Sequence, residues 1–323
     1  MRAIVCDELG PLETLRLAEV PDPEAGPGQV LIDVAAAGVN YVDALFVQGR
    51  YQIKPPVPFT PGSEIAGTVA AAGAGVQGLE PGTRVLASCG LGGFAERAAV
   101  PAASAVAIPD RLDAPRAATF TQSFSTMLYA LRDRGAVRPD EKVLVLGGGG
   151  GIGLAAIALA KVFGARVAAV ASSAAKRDLA RRAGADEVID PGSADVKAAA
   201  REWSGGGVDV VVDPVGGDLA EPALRALGEG GRYLVIGFAA GAIPRLPLNQ
   251  VLLRNRTIVG VDWGAWAGRE PHAQRLLLAD LLALAADGRV DPPEPTAYPL
   301  DAAVSALRDL YERRAAGKIA LTM

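Results

Sequence analysis

The sequence predicts an α/β protein in which a doubly wound parallel sheet is inserted into a mostly-β unit. Three observations predict it. From about residue 123 to 265, short apolar runs alternate with helix-forming segments, the rhythm of a parallel sheet. Residues 1–122 instead carry short β-like runs punctuated by Gly and Pro. The chain then closes on KIALTM, a strand-like run that makes sense if residues 266–323 return to complete the first unit. With 323 residues the chain is also long for a single core.

In the first unit, LIDVAAAGVN, GTVAAAG and TRVLASCG read as strands. KPPVPFTPG reads as a stiff extended loop, because each proline removes a backbone donor and restricts its predecessor. The inserted unit starts on KVLVLG, a buried-strand pattern, followed by the helix IGLAAIALAKVFG ending at Gly164. ARVAAVASS is the next strand, and AAKRDLARRAG the next helix, ending at Gly184. EVID, VDVVVDPVGG, RYLVIGF and TIVGVDW complete the series of strands. After Trp263, PHAQRLLLADLLALAADG and SALRDLYERRAAGK read as helices of the returning segment.

Composition excludes several classes of function. A net charge of −4 provides no basic field for nucleic acid or an anionic membrane. Two cysteines, Cys6 and Cys89, make neither a disulfide framework nor a four-cysteine zinc site. MRAIVCDELG lacks the apolar core of a signal peptide. The uncharged stretch VLVLGGGGGIGLAAIALA, residues 143–160, approaches the length of a membrane span. Its glycines 147–151 would break a lipid-facing helix, which must satisfy its own backbone groups. The expectation is a soluble, cytoplasmic protein without a nucleic-acid or membrane partner.

Those glycines have a more specific reading. A strand, then Gly148-x-Gly150-x-x-Gly153, then a helix is the context a dinucleotide fingerprint requires. The early glycines permit a tight turn and let backbone N–H groups, with Gly151 and Ile152 opening the helix, approach a pyrophosphate. Gly153 lets helix and strand pack closely. About twenty residues on, where an NAD site places a carboxylate for the ribose hydroxyl, the chain offers Ser172, then Lys176 and Arg177. Hydroxyls and cations suit a 2′-phosphate, so the expected coenzyme is NADPH; the plainer reading of the two cations is a solvated helix face.

In this order the motifs resemble the medium-chain dehydrogenase/reductase superfamily, and within it the zinc-free quinone oxidoreductases related to zeta-crystallin. AAAGVNYVD, PFTPGSEIAGTV, PGTRVLA, GGFAERAAVP, the fingerprint, GVDVVVDPVGG, GGRYLVIGFAAG and YPLDAAVSALRDLYERRAAGKIAL carry the resemblance nearly end to end. It implies a Rossmann domain (123–265) inserted in a GroES-like catalytic domain (1–122, completed by 266–323). Zinc-dependent relatives have cysteine where this chain has Asn40 and histidine where it has Ser63. Glu64 alone cannot make a tetrahedral nitrogen and sulfur site, and the one histidine, His272, precedes a C-terminal helix. No metal is expected.

The resemblance implies Asn40 and Tyr51 beside the nicotinamide, Asn40 orienting substrate or polarising its carbonyl and Tyr51 donating a hydrogen bond or a proton. Asp43 completes the candidate catalytic set, more as an anchor of the loop than as a proton carrier. Asn40 also reads as a turn residue and Tyr51 as a pocket wall. Further coenzyme contacts implied are Thr126, Phe238 and Arg314, beside Ser172 and Lys176. Three positions depart from the relatives: Pro191 and Pro214 remove hydroxyl groups near the coenzyme, and Leu45 replaces a tyrosine of some bacterial quinone reductases. The expected function is zinc-independent, NADPH-dependent reduction of a quinone or electron-poor enone by direct hydride transfer, in a homodimer. An enoyl-thioester reductase and a non-catalytic NADPH-binding sensor or crystallin-like structural protein are the alternatives.

Overall fold

Two short strands, β1 (Arg2–Val5) and β2 (Arg16–Glu19), form an antiparallel ribbon ahead of the first large sheet. That sheet is built on β3 (Gln29–Val39), whose inward residues Val30, Ile32, Val34 and Ala36 are buried at alternate positions. β4 (Glu64–Ala72), β5 (Arg84–Ser88), β6 (Arg97–Pro101) and β7 (Ala105–Ala107) follow, all in antiparallel ladders. The stretch read as strands and turns also holds two short helices, α1 (Tyr41–Val47) and α2 (Ala114–Ala118). α1 forms because the Asp43 carboxylate reaches back to the Asn40 backbone N–H at 2.8 Å, one arm of a capping box.

A computed structural model describes every residue, Met1–Met323. It divides into a first unit, Met1–Gln122 with Pro292–Met323, and a second, Ser123–Asp291. Beyond α3 (Thr121–Leu128) and a π-helical turn at Tyr129–Arg134, the chain alternates strand and helix. The elements are β8 (Lys142–Leu146), α4 (Gly151–Val162), β9 (Arg166–Val170), α5 (Ala174–Arg182), β10 (Glu187–Ile189) and α6 (Val196–Ser204). Then come β11 (Val208–Asp213), α7 (Ala220–Ala226), β12 (Leu227–Val235), α8 (Asn249–Leu252) and β13 (Thr257–Gly260). All pairings are parallel, in the order β10-β9-β8-β11-β12-β13, which is the Rossmann order 3-2-1-4-5-6. Val143 to Leu146 are fully buried, the pattern of a central parallel strand covered on both faces.

α9 (Trp263–Arg269) and α10 (Pro271–Ala286) correct the sequence reading, which gave residues 266–291 to the first unit. They belong to the second. The Trp263 indole donates to Gln274 at 2.8 Å, Asp280 pairs with Arg132 at 2.9 Å, and Leu277 and Leu281 are fully buried. An amphipathic helix announces that it has a buried face, not which sheet covers it. The return to the first unit begins only at Pro292, with β14 (Thr296–Pro299), α11 (Ala303–Tyr311) and β15 (Ile319–Thr322). β15 pairs antiparallel with β3, Ile319 opposite Val39 and Ala320 opposite Gly38. The first sheet then runs β14-β15-β3-β4-β5-β7, with β6 also on β3.

Candidate functional site

The register of the first sheet gathers a polar cluster. Gly38 of β3 lies opposite Glu64, the first residue of β4, and the β15 register carried back one residue sets Lys318 opposite Asn40. The Asn40 Nδ2 donates to Glu64 Oε1 at 2.8 Å, and the Lys318 ammonium donates to Asn40 Oδ1 at 2.6 Å and to Glu64 Oε1 at 3.1 Å. Glu64 Oε2 accepts the Gln122 backbone N–H at 2.9 Å. All three side chains are buried: Asn40 is 7% exposed, Glu64 2% and Lys318 8%. Only glycine fits at position 38, because a Cβ there would lie 2.2 Å from the Ala118 carbonyl oxygen and 2.6 Å from Glu64 Oε1.

Asp43 is fully buried one turn into α1. Burial pushes its carboxyl up to about 7, partly offset by the Asn40 N–H, with Glu64 raising it and Lys318 lowering it. Burial, with the Asp43 charge adding to it, pushes the Cys89 thiol up to about 12, so it stays a protonated, unreactive thiol. Tyr51 follows α1, half-buried, its ring edge-on to Phe46 at 4.9 Å between centroids. Arg314 follows α11, paired with Asp309 at 2.7 Å and with Glu312.

The second unit holds the glycine loop. The amides of Gly148 and Gly150 are used internally, on Val170 O at 2.9 Å and Gly147 O at 3.0 Å, which closes the turn. Gly150 is the N-cap of α4 and brings no capping side chain, so the first-turn amides of Gly151, Ile152 and Gly153 are left for an outside acceptor. A Cβ on Gly153 would lie 2.2 Å from Gly147 O, so α4 approaches the loop only because that residue is glycine. A Cβ on Gly149 would lie 2.4 Å from the Lys176 Cβ, which places the first turn of α5 directly against the loop.

Ser172 is exposed between β9 and α5, and Ser173 caps α5 by accepting the Lys176 N–H at 3.3 Å. Arg177, read from the sequence as a second cation for a phosphate, points elsewhere: its guanidinium pairs with Asp190 at 2.9 Å and donates to the Ala171 carbonyl at 3.2 Å. Thr126 is buried in α3. Phe238, in the loop after β12, sets its ring where a Cβ on Gly216 would lie 2.9 Å away. The bare helix terminus, the hydroxyl and the cation suit an anionic, phosphorylated dinucleotide, and no carboxylate stands in the serine pair that ends β9.

Two family profiles match the chain. Residues 26–110 match the alcohol dehydrogenase GroES-like domain and residues 151–279 the zinc-binding dehydrogenase domain. Quinone oxidoreductase-like protein 2 of Rattus norvegicus is 34% identical over 324 residues, covering 100% of this chain and 92% of that protein. The chain belongs to the quinone oxidoreductase family of medium-chain dehydrogenases/reductases. The crystal structure of the Escherichia coli quinone oxidoreductase complexed with NADPH superposes with a TM-score of 0.90 at 28% identity, over 100% of both chains. A mycocerosic acid synthase-like polyketide synthase of Mycobacterium tuberculosis is 33% identical over 317 residues, 97% of this chain but 15% of that protein.

For a member of this family the first question is the metal named by the second profile. The donors do not fit one. No three His, Cys, Asp or Glu side chains converge anywhere, and Asn40 beside Glu64 brings an amide rather than a nitrogen or sulfur ligand. A lysine ammonium lies 3.1 Å from the one carboxylate of the cluster. Lys318 is also the residue that sequence reasoning missed. Its signal was slight: a lone cation directly before an apolar closing strand, IALT.

Proposed function

We propose that this oxidoreductase is an NADPH-dependent, zinc-independent reductase of quinones or electron-poor enones. The observation that carries the reading is the uncapped N-terminus of α4, with Ser172 and Lys176 beside it and no carboxylate at the end of β9. The first-turn amides of Gly151, Ile152 and Gly153 hold the diphosphate, while Gly148 and Gly150 shape the turn that exposes them. Ser172 and Lys176 take the 2′-phosphate, which a carboxylate would repel. Thr126 and Phe238 contact the nicotinamide half. Arg314 joins them only by leaving its pairs with Asp309 and Glu312.

Bound NADPH supplies the hydride. The first unit supplies the donors that meet negative charge growing on the acceptor oxygen: the Asn40 amide and the Tyr51 hydroxyl. Asp43 acts by holding α1 on the Asn40 backbone, since it is buried and carries no exposed proton. Assembly is as a homodimer. β13 is an edge strand, and Leu248, Leu252 and Leu253, in the segment just before it, are each more than 70% exposed, apolar surface that a second copy would cover.

The test is NADPH oxidation with 1,4-naphthoquinone and, separately, with crotonyl-CoA as acceptor. Turnover on the quinone is expected. Turnover on crotonyl-CoA alone would favour an enoyl-thioester reductase. Tight NADPH binding without reduction of either acceptor would favour a sensor or a structural role.

A further inference from the structure

The sequence reading gave Asn40 a role at the substrate and Lys318 none, yet the two side chains are in direct contact. The chemistry of that contact fixes an orientation. An ammonium only donates hydrogen bonds and a carboxylate only accepts them. Asn40 sits between one of each, with Oδ1 toward the Lys318 Nζ and Nδ2 toward Glu64 Oε1. Turning the amide over would set its NH2 against the ammonium and its carbonyl against the carboxylate, losing both bonds at once. Neither neighbour can yield. The Glu64 carboxylate is pinned on its other oxygen by the Gln122 N–H, and Lys318 is held by the pairing of β15 with β3. The absence of a side chain at Gly38 is what admits Glu64 to the cluster.

We propose that Lys318 is a positioning residue for reduction: with Glu64 it locks the Asn40 amide in one orientation, leaving the second Nδ2–H set to meet the acceptor oxygen. The inference rests on the reductase reading above, in which Asn40 addresses the substrate. A fixed donor is worth more than a mobile one because no reorganisation is needed as charge develops. Lys318 also balances Glu64, so the cluster carries no net charge from this pair and presents the amide in place of a metal.

The test uses Lys318→Met and the double variant Lys318→Met/Glu64→Gln, which leaves no unpaired buried charge and so restores folding should the single variant lose it. With 1,4-naphthoquinone, kcat is expected to fall roughly ten- to a hundredfold in both, below the loss from deleting a donor outright. NADPH affinity, read by coenzyme fluorescence, is expected to stay within about twofold, because the glycine loop is untouched. A merely structural role would instead return kcat to the wild-type value in the double variant, and that result overturns the inference. An independent readout is solvent exchange of the Asn40 side-chain amide protons by NMR, slow in the wild type and fast in the double variant. Equal exchange in the two proteins overturns the lock whatever the activity. Failure of the wild type to reduce any acceptor overturns the reductase reading, and the exchange measurement still decides the lock.

Discussion

The two functional devices of this chain are assembled in opposite ways. In the second unit the glycine loop is one continuous stretch, Gly147 to Gly153, between β8 and α4. In the first unit, Asn40 and Lys318 meet across 278 residues of sequence and Glu64 joins them from a third strand. The loop works by having no side chains, so that backbone N–H groups are exposed. The cluster instead pairs charged side chains with the two ends of one amide, its carbonyl on Lys318 and its NH2 on Glu64. Each nevertheless depends on one glycine at its closest approach: Gly153, whose Cβ would lie 2.2 Å from Gly147 O, and Gly38, whose Cβ would lie 2.6 Å from Glu64 Oε1. A local motif survives as a string of letters, whereas a cluster made by strand register does not.

The comparison can be broken most forcefully at Gly153. Gly153→Val drives a branched side chain into loop backbone that has no flexible end to yield, and overpacking of this kind costs roughly 1–3 kcal/mol or more. The expected result is loss of measurable NADPH binding together with a lower melting temperature. Retained coenzyme affinity would mean that the loop is not the diphosphate site.

Lys176→Ala sharpens the loop's half of the comparison. Losing one charge-assisted hydrogen bond to a phosphate costs about 1.5–3 kcal/mol, or roughly ten- to a hundredfold in NADPH affinity. NADH affinity should be unchanged, because NADH has no 2′-phosphate. Parallel titrations with the two coenzymes check this, and an equal loss for both would remove Lys176 from the phosphate site.

The smallest effect concerns Asp43. Its carboxyl is raised from 3.8 to about 7 in the folded chain, so between those values the folded state holds a proton that the unfolded state has released. Stability from this group is therefore lost as pH rises from about 4 toward 7, and stays lost above. Asp43→Asn removes the penalty while leaving a carbonyl to accept the Asn40 N–H. Melting curves should show the variant gaining on the wild type as pH rises from 5 to 8. A difference that does not vary with pH would contradict the burial argument.

Much of the second unit was legible because its signals are local. The run KVLVLG, the fingerprint and the serine pair ending ARVAAVASS lie within one β8–α4–β9 stretch, and each needs only its neighbours to be interpreted. The pairing of Arg177 with Asp190 was not legible, because Asp190 lies beyond the next strand and charge pattern alone does not reveal a pairing through space. The helix at 271–286 was assigned to the wrong unit because an apolar face does not name its partner. In the first unit Asn40 was singled out, but its commitment to both Glu64 and Lys318 could not be read, since only the pairings of β3 with β4 and of β15 with β3 bring them together.

The measurement that bears most directly on a metal-free, NADPH-dependent reductase is NADPH oxidation at 340 nm with 1,4-naphthoquinone, before and after exhaustive treatment with a chelator. The account predicts the same turnover in both samples, with no gain when zinc is added back. Activity that disappears with the chelator and returns with zinc would contradict it.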